Sequence, residues 1–150
     1  MDKEKKTTLE IFKAKATAAL KRKREHRTST ISFPSFAQDM DEDGSEGTPL
    51  EIKFKTLSDA EINECVAYED EDDPTAGDKY AVYIASVEPS LKKLGMELKE
   101  AGEINHPFEI MKMFERHEIT EASIIIMEQS GVMSKNKAKI VDRAIENLKN

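Results

Sequence analysis

The apolar residues of this chain recur with two different periods. Leu9, Phe12, Ala16, Ala19 and Leu20 follow helical spacing behind the capping-box pair Thr7 and Glu10, which predicts a helix from Leu9 to Arg24. Residues 28–36, TSTISFPSF, are β-branched and aromatic until Pro34 stops them, as in a short edge strand. In LEIKFKTL the period becomes two. Leu50, Ile52 and Phe54 share one face and Glu51, Lys53 and Lys55 the other, so residues 50–57 read as a half-buried strand that can pair with 28–33. A second capping box, Ser58 to Glu61, opens a helix expected to bury Ile62, Cys65 and Val66.

Beyond the acidic run 69–78, a loop by composition, the pattern is helical. Tyr80, Tyr83, Ile84 and Val87 form one face up to Pro89. Leu91, Leu94 and Leu98 form the next, closed by Gly102 and weakened by about 1 kcal/mol at Gly95 relative to alanine. Asn105-His106-Pro107 starts a helix with Phe108, Ile110, Met111 and Phe114 on its apolar face. Another runs from Glu118 to Gln129 and stops at Gly131. Ser134 caps a last one carrying Ala138, Val141, Ala144, Ile145 and Leu148. The fold class is α+β and α-rich: a small N-terminal β-hairpin-like element, then a helical bundle. Residues 1–27 form a basic, partly helical flexible arm. Residues 28–150 form a single domain, with 37–49 an acidic mobile linker, 50–57 a strand and 58–150 mainly helical.

Within EITEASIIIMEQSGV, the neighbours Ile124, Ile125, Ile126 and Met127 point to every side of a helix. Ile119, Ala122 and Ile126 are expected to face the core. Ile124, Ile125 and Met127 cover the other sides, some against the last helix; either all four of 124–127 are ordinary core, or at least one meets a partner. A cleft between 107–115 and 118–129 is the expected binding groove, with Phe108, Met111 and Phe114 on its first wall. Met111, Met113, Met127 and Met133 suit an adaptable contact surface.

Composition changes this picture in three ways. The chain has 150 residues, 38% hydrophobic and 35% charged, so it fits one domain with part of its length in tail or loop. Cys65 is the single cysteine, which excludes an internal disulfide and suits a reducing cytoplasm. The longest aliphatic run, 124–127, is too short for a membrane span, and the N-terminus has no apolar segment of a signal peptide. Charge is segregated. Residues 1–30 carry ten Lys/Arg against four Asp/Glu, whereas residues 31–90 carry three against sixteen. The basic cluster Lys21, Arg22, Lys23, Arg24 and Arg27 is therefore an arm for a partner, for intramolecular pairing, or for the acidic loop 69–73 of a neighbouring copy, a run that otherwise reads as a solvated loop.

Motifs for chemistry fail on inspection. Asp39, Asp41, Asp43 and Gly44 match the start of a calcium loop, but its twelfth position, which must give a bidentate carboxylate, is Leu50. His117-Glu118 lacks the second histidine of a zinc protease, because position 121 is Glu. Cys65 reads as a small core residue. No phosphate-binding glycine motif or nucleophile elbow occurs. The basic cluster lacks the aromatics or recognition helix of a nucleic-acid binder. No cofactor and no metal are expected.

From Phe33 to Asn150 the chain resembles the XkdN-like tail assembly chaperones of Gram-positive phages and prophages. The resemblance is carried, in order, by FPSF, LEIKFKTLSDAEI, SVEPSLKKLGMELKEAG, HPFEIMKMFERHEITEASIIIMEQSGV and the terminal ENLKN; Arg116-His117 stand where that family usually has Pro-Gly. It implies a non-enzymatic protein of the host cytoplasm that binds the tape measure protein and keeps it soluble until the tail tube assembles, and that is absent from the mature virion. The tail tube protein and other chaperone copies are further implied partners; membrane is not, and nucleic acid is disfavoured. The rival readings are a tail structural or adaptor subunit and a DNA-binding regulator using the basic arm.

Overall fold

In a computed structural model, the described residues are 7–25, 27–39, 44 and 47–132. The elements are α1 (Thr8–Arg24), β1 (Thr28–Phe33), a 3₁₀ segment (Pro34–Gln38), β2 (Leu50–Lys55), α2 (Asp59–Ala67), α3 (Ala76–Ala85), β3 (Ser86–Glu88), α4 (Leu91–Glu100), a second 3₁₀ segment (Pro107–Met113) and α5 (Arg116–Gln129). The helix expected behind Ser134 lies outside the described residues, as do Met133 and Asp41 and Asp43 of the calcium-loop-like run.

The three strands form one antiparallel sheet with β2 in the centre. Ile31 stands opposite Ile52 and Phe33 opposite Leu50, so the period-two pattern puts both apolar sets on one face. Phe33, Ile52 and Phe54 are fully buried there, while Thr28, Thr30, Ser32, Glu51 and Lys53 face solvent. Against this face pack Val82, Ala81 and Ala85 of α3 and Ile119, Ala122 and Ile126 of α5. The alanines let α3 and α5 approach closely, and these two helices form a main contact of the domain. Phe114 closes one end of the core, its ring 4.8 Å from Phe33 and 5.5 Å from Phe36.

The predicted caps form as the sequence requires. Thr7 and Glu10 exchange hydrogen bonds of 3.2 and 3.3 Å at α1, and Ser58 and Glu61 do so at 3.2 and 3.0 Å at α2. Gly102 and Gly131 take the left-handed conformation just past α4 and α5.

Four expectations are corrected. First, α3 begins inside the acidic run, at Ala76, and ends at Ala85, so Val87 is not on its apolar face. Ser86–Glu88 instead form β3 against β2, and Val87 is exposed. Two local causes act here. Pro89 disfavours helix at Glu88. The Ser86 hydroxyl donates to the Tyr83 carbonyl (3.0 Å) and accepts from the Leu91 amide (2.9 Å), replacing helical bonds. Second, Val66 is 75% exposed rather than buried. The backbone of α3 comes so close to the end of α2 that a Cβ on Gly77 would lie 2.8 Å from the Cys65 carbonyl oxygen. That approach covers Cys65 and leaves Val66 outside.

Third, residues 107–113 wind as a 3₁₀ helix, with Phe114 just beyond it. Its ridges run i, i+3, so Phe108, Met111 and Phe114 line up, as do Pro107, Ile110 and Met113. Fourth, this segment packs chiefly on α4, so it does not form one wall of a groove with α5. Gly95 is the reason: a Cβ there would lie 2.4 Å from the Pro107 carbonyl oxygen.

Polar ties fix α5 along its length. Glu118 is buried. Its Oε2 accepts from the Ser35 amide (3.0 Å), and its Oε1 accepts from the Ser35 hydroxyl (2.5 Å) and the Glu115 amide (3.3 Å). The Ser123 hydroxyl donates to Asp78 Oδ1 (2.8 Å) and the Ser29 hydroxyl to Gln129 Oε1 (2.7 Å). At the end of the helix, Ser130 Oγ accepts from the Leu57 amide (2.8 Å) and donates to the Ile126 carbonyl (2.6 Å). Burial alone pushes the Glu118 carboxyl up. The three donors and the adjacent His117 outweigh it and hold the group below its ordinary value of 4.5.

Two predictions follow from this packing. Gly95→Ala, which helix propensity alone makes stabilising by about 1 kcal/mol, destabilises here by about 1–3 kcal/mol in chemical denaturation, because the methyl meets backbone. Glu118 is held low in the folded state. Its contribution is therefore complete above the unfolded carboxylate value near 4.3 and is lost as pH falls through the folded value. Glu118→Gln costs about 1.5–3 kcal/mol at neutral pH and flattens the loss of stability as pH falls below about 5; parallel acid-titrated denaturation curves for both proteins check it.

Candidate docking groove on helix α5

The fourteen residues of α5 cannot bury every apolar side chain against one sheet. With Ile119, Ala122 and Ile126 turned inward, Ile125 falls on the side of β1, and Ile124 and Met127 fall on the side of α2 and α3. Each side opens as a groove. The β1 side has a volume of about 390 Å³ and is bordered by Ile31, Glu121, Ile125 and Gln129. The other has about 320 Å³, bordered by Val66, Tyr68, Pro74, Gly77, Ile124 and Met127. The β1-side groove has the more apolar lining; the second has the more exposed aliphatic lips, Val66 at 75% and Ile124 at 44%, above Asp78 and Ser123.

Cys65 lines this second groove from below and is itself buried. Burial first, then the charges of Glu61, Glu64 and Asp78, push its thiol up to about 11. It stays protonated at neutral pH, so it acts as an apolar packing group. Tyr68 forms one end, its ring stacked on Tyr80 at 4.7 Å and 4° and tilted against Phe108 at 5.4 Å. The Tyr80 hydroxyl donates to Glu64. These contacts place an aromatic rim next to the exposed aliphatic lips, Val66 and Ile124.

An acidic frame adjoins the rim. Asp73 is tied inward by Lys79 Nζ (2.6 Å) and the Thr75 hydroxyl (2.6 Å); with Lys79 leading, these bonds hold its carboxyl down to about 2. Glu69, Asp70, Glu71 and Asp72 are exposed. Glu69, Asp70 and Glu71 border a small adjoining pocket with Tyr68 and Pro74. Like charges held this close are eased by a cationic partner. The groove thus presents aliphatic lips and carboxylates side by side.

The residues expected to meet a partner do not form one surface. Ile124 is exposed and Met127 half-buried on one groove; Ile125 is half-buried on the other. Phe108 is half-buried among Tyr68, Tyr80 and Tyr83. Met111 and Phe114 are buried in the core and hold the fold together. Val66 and Tyr68 join Ile124 instead, although the sequence places Val66 in the core with Ile62 and Cys65. Lys21, Arg22, Lys23, Arg24 and Arg27 are all exposed. Arg22, Lys23 and Arg27, with Leu20, lie across from Leu57 and Glu128–Gly131 at the C-terminal end of α5.

Among the described residues no cluster of three or more His, Cys, Asp or Glu side chains is arranged to hold a metal ion, and no helix is long and apolar enough to cross a membrane. Comparison with protein-family models and with curated proteins finds no match. Among solved structures, the chain is similar to the crystal structure of the protein YqbN, with a TM-score of 0.44 and 20% identity over 69% of this chain and 86% of that one. At that level the likeness carries no argument about function.

Proposed function

We propose that this protein is a non-enzymatic tail assembly chaperone that acts in the host cytoplasm, binds the tape measure protein and leaves before the virion is complete. The sequence resemblance suggests the client. One observation carries the mode of binding: the open groove beside α5 has exposed aliphatic lips, Val66 and Ile124, with half-buried Met127 in its wall and carboxylates alongside. A long helical client presents a succession of amphipathic turns. A groove of aliphatic and methionine side chains accepts many such turns without requiring one sequence. The acidic body keeps the loaded complex dispersed, since like charge opposes association.

Co-expression with the tape measure protein from the same gene cluster, followed by pull-down and a solubility assay, tests this. The wild-type chain keeps the client soluble and co-elutes with it. Ile124→Ser removes apolar contact of about 1.5–3 kcal/mol, weakening binding about tenfold or more while leaving the thermal midpoint unchanged. A client that precipitates regardless, or equal loss of helicity and binding in the variant, sinks the reading.

A further inference from the structure

Helix α1 has seventeen residues and buries none of them. Leu9 is 76% and Phe12 66% exposed, and Leu20 and Ile11 are also exposed. Leu9, Phe12, Ala16 and Ala19 lie along one side at helical spacing. An isolated helix of this length is marginal in water, and most helical stability comes from packing an apolar face. The helix therefore calls for a cover. It carries six Lys/Arg against one Glu.

Every copy of the chain also carries the reciprocal surface. Among the described residues nothing covers Val66 and Ile124 at the lips of the α2–α3–α5 groove, half-buried Met127 lies in its wall, and Glu69–Asp72 supply negative charge beside it. In its own chain α1 reaches the body at its C-terminal end, where Leu20 and Lys23 sit near Gly131, and no α1 residue lines the groove. We infer that α1 of one copy docks in the α2–α3–α5 groove of a second copy, so that two chains exchange arms. Ridge meets slot, aliphatic meets aliphatic, and the cationic helix meets the acidic frame. Reciprocal exchange uses each surface once and closes on a two-fold axis, which leaves neither face exposed.

The inference concerns the chain alone and does not depend on the identity of a client. Sedimentation of the full chain at tens of micromolar in low salt is expected to give a dimer. Raising salt from about 0.05 to about 0.5 M weakens it roughly tenfold, because exposed charges are screened. An arm variant, Leu9→Ser with Phe12→Ser, and a groove variant, Val66→Ser with Ile124→Ser, are each expected to be monomeric. All four positions are exposed, so both variants keep the thermal midpoint that the wild-type chain shows when diluted to monomer. An equimolar mixture of the two variants restores a dimer, since one intact arm then meets one intact groove. A wild-type chain that stays monomeric overturns the inference, as folding of α1 onto its own groove would make it do. Dimerisation that depends on α1 and ignores the groove variant overturns it too, as does a mixture that stays monomeric.

Discussion

Helix α5 has only one tolerable rotation about its axis, and Glu118 sets it. A buried carboxylate without donors is among the costliest groups a small domain can carry. Here its donors are the amide and hydroxyl of Ser35, in the turn that follows β1. Rotating α5 away from that turn would strand the charge. With Glu118 fixed, Ile119, Ala122 and Ile126 must enter the core, and Ile124 must leave it. Ser130 repeats the constraint one end on, where it receives the amide of Leu57 at the exit of β2. The apolar face of α5 and the inner face of the sheet are thereby locked in register, and the groove is what remains of the aliphatic run after that choice.

Much of this was legible along the chain because it is local. Two capping boxes, the alternation of 50–55 and the glycines after α4 and α5 involve residues within one turn or one strand. The inward grouping of Ile126 with Ile119 and Ala122 was legible too from helical spacing, whereas the sequence left open whether Ile124 was core, and it is exposed. What escaped depends on contacts distant in sequence. Glu118 meets Ser35 across 83 positions, and nothing near either residue announces it. Gly95 looked like a weakness in α4 and is a contact surface, because Pro107 needs the space a methyl would fill. The 3₁₀ segment left a trace that was misread. Phe108, Met111 and Phe114 recur every three residues, a spacing that suits either helix, and only the approach to α4 decides between them. The short strand β3 was hidden by a helical pattern that continued through Val87, where pairing with β2 outweighs local preference.

The groove was missed for a related reason. Hydrophobic residues in sequence order say which positions want burial, and a partner surface is made of positions that want it and do not receive it. Val66 belongs to this class. Its spacing from Ile62 argues for the core, and the close seat of α3 on Cys65 denies it a place there.

Segregated charge makes uncovered apolar surface tolerable. The body between residues 31 and 90 is strongly acidic and α1 strongly basic. Two acidic bodies repel at distances where aliphatic contact is not yet felt, so indiscriminate association through the open groove is opposed. A cationic helix is drawn to the acidic frame, and only after that approach does short-range packing act. In the proposed docking, charge selects which helices test the groove, and the shape left by Glu118 and Gly77 decides which of them stay. A basic amphipathic helix satisfies both conditions, whether it belongs to a client or to the chain itself. The two occupants would then compete for one surface, and occupancy by α1 would keep the aliphatic lips covered whenever no client is bound.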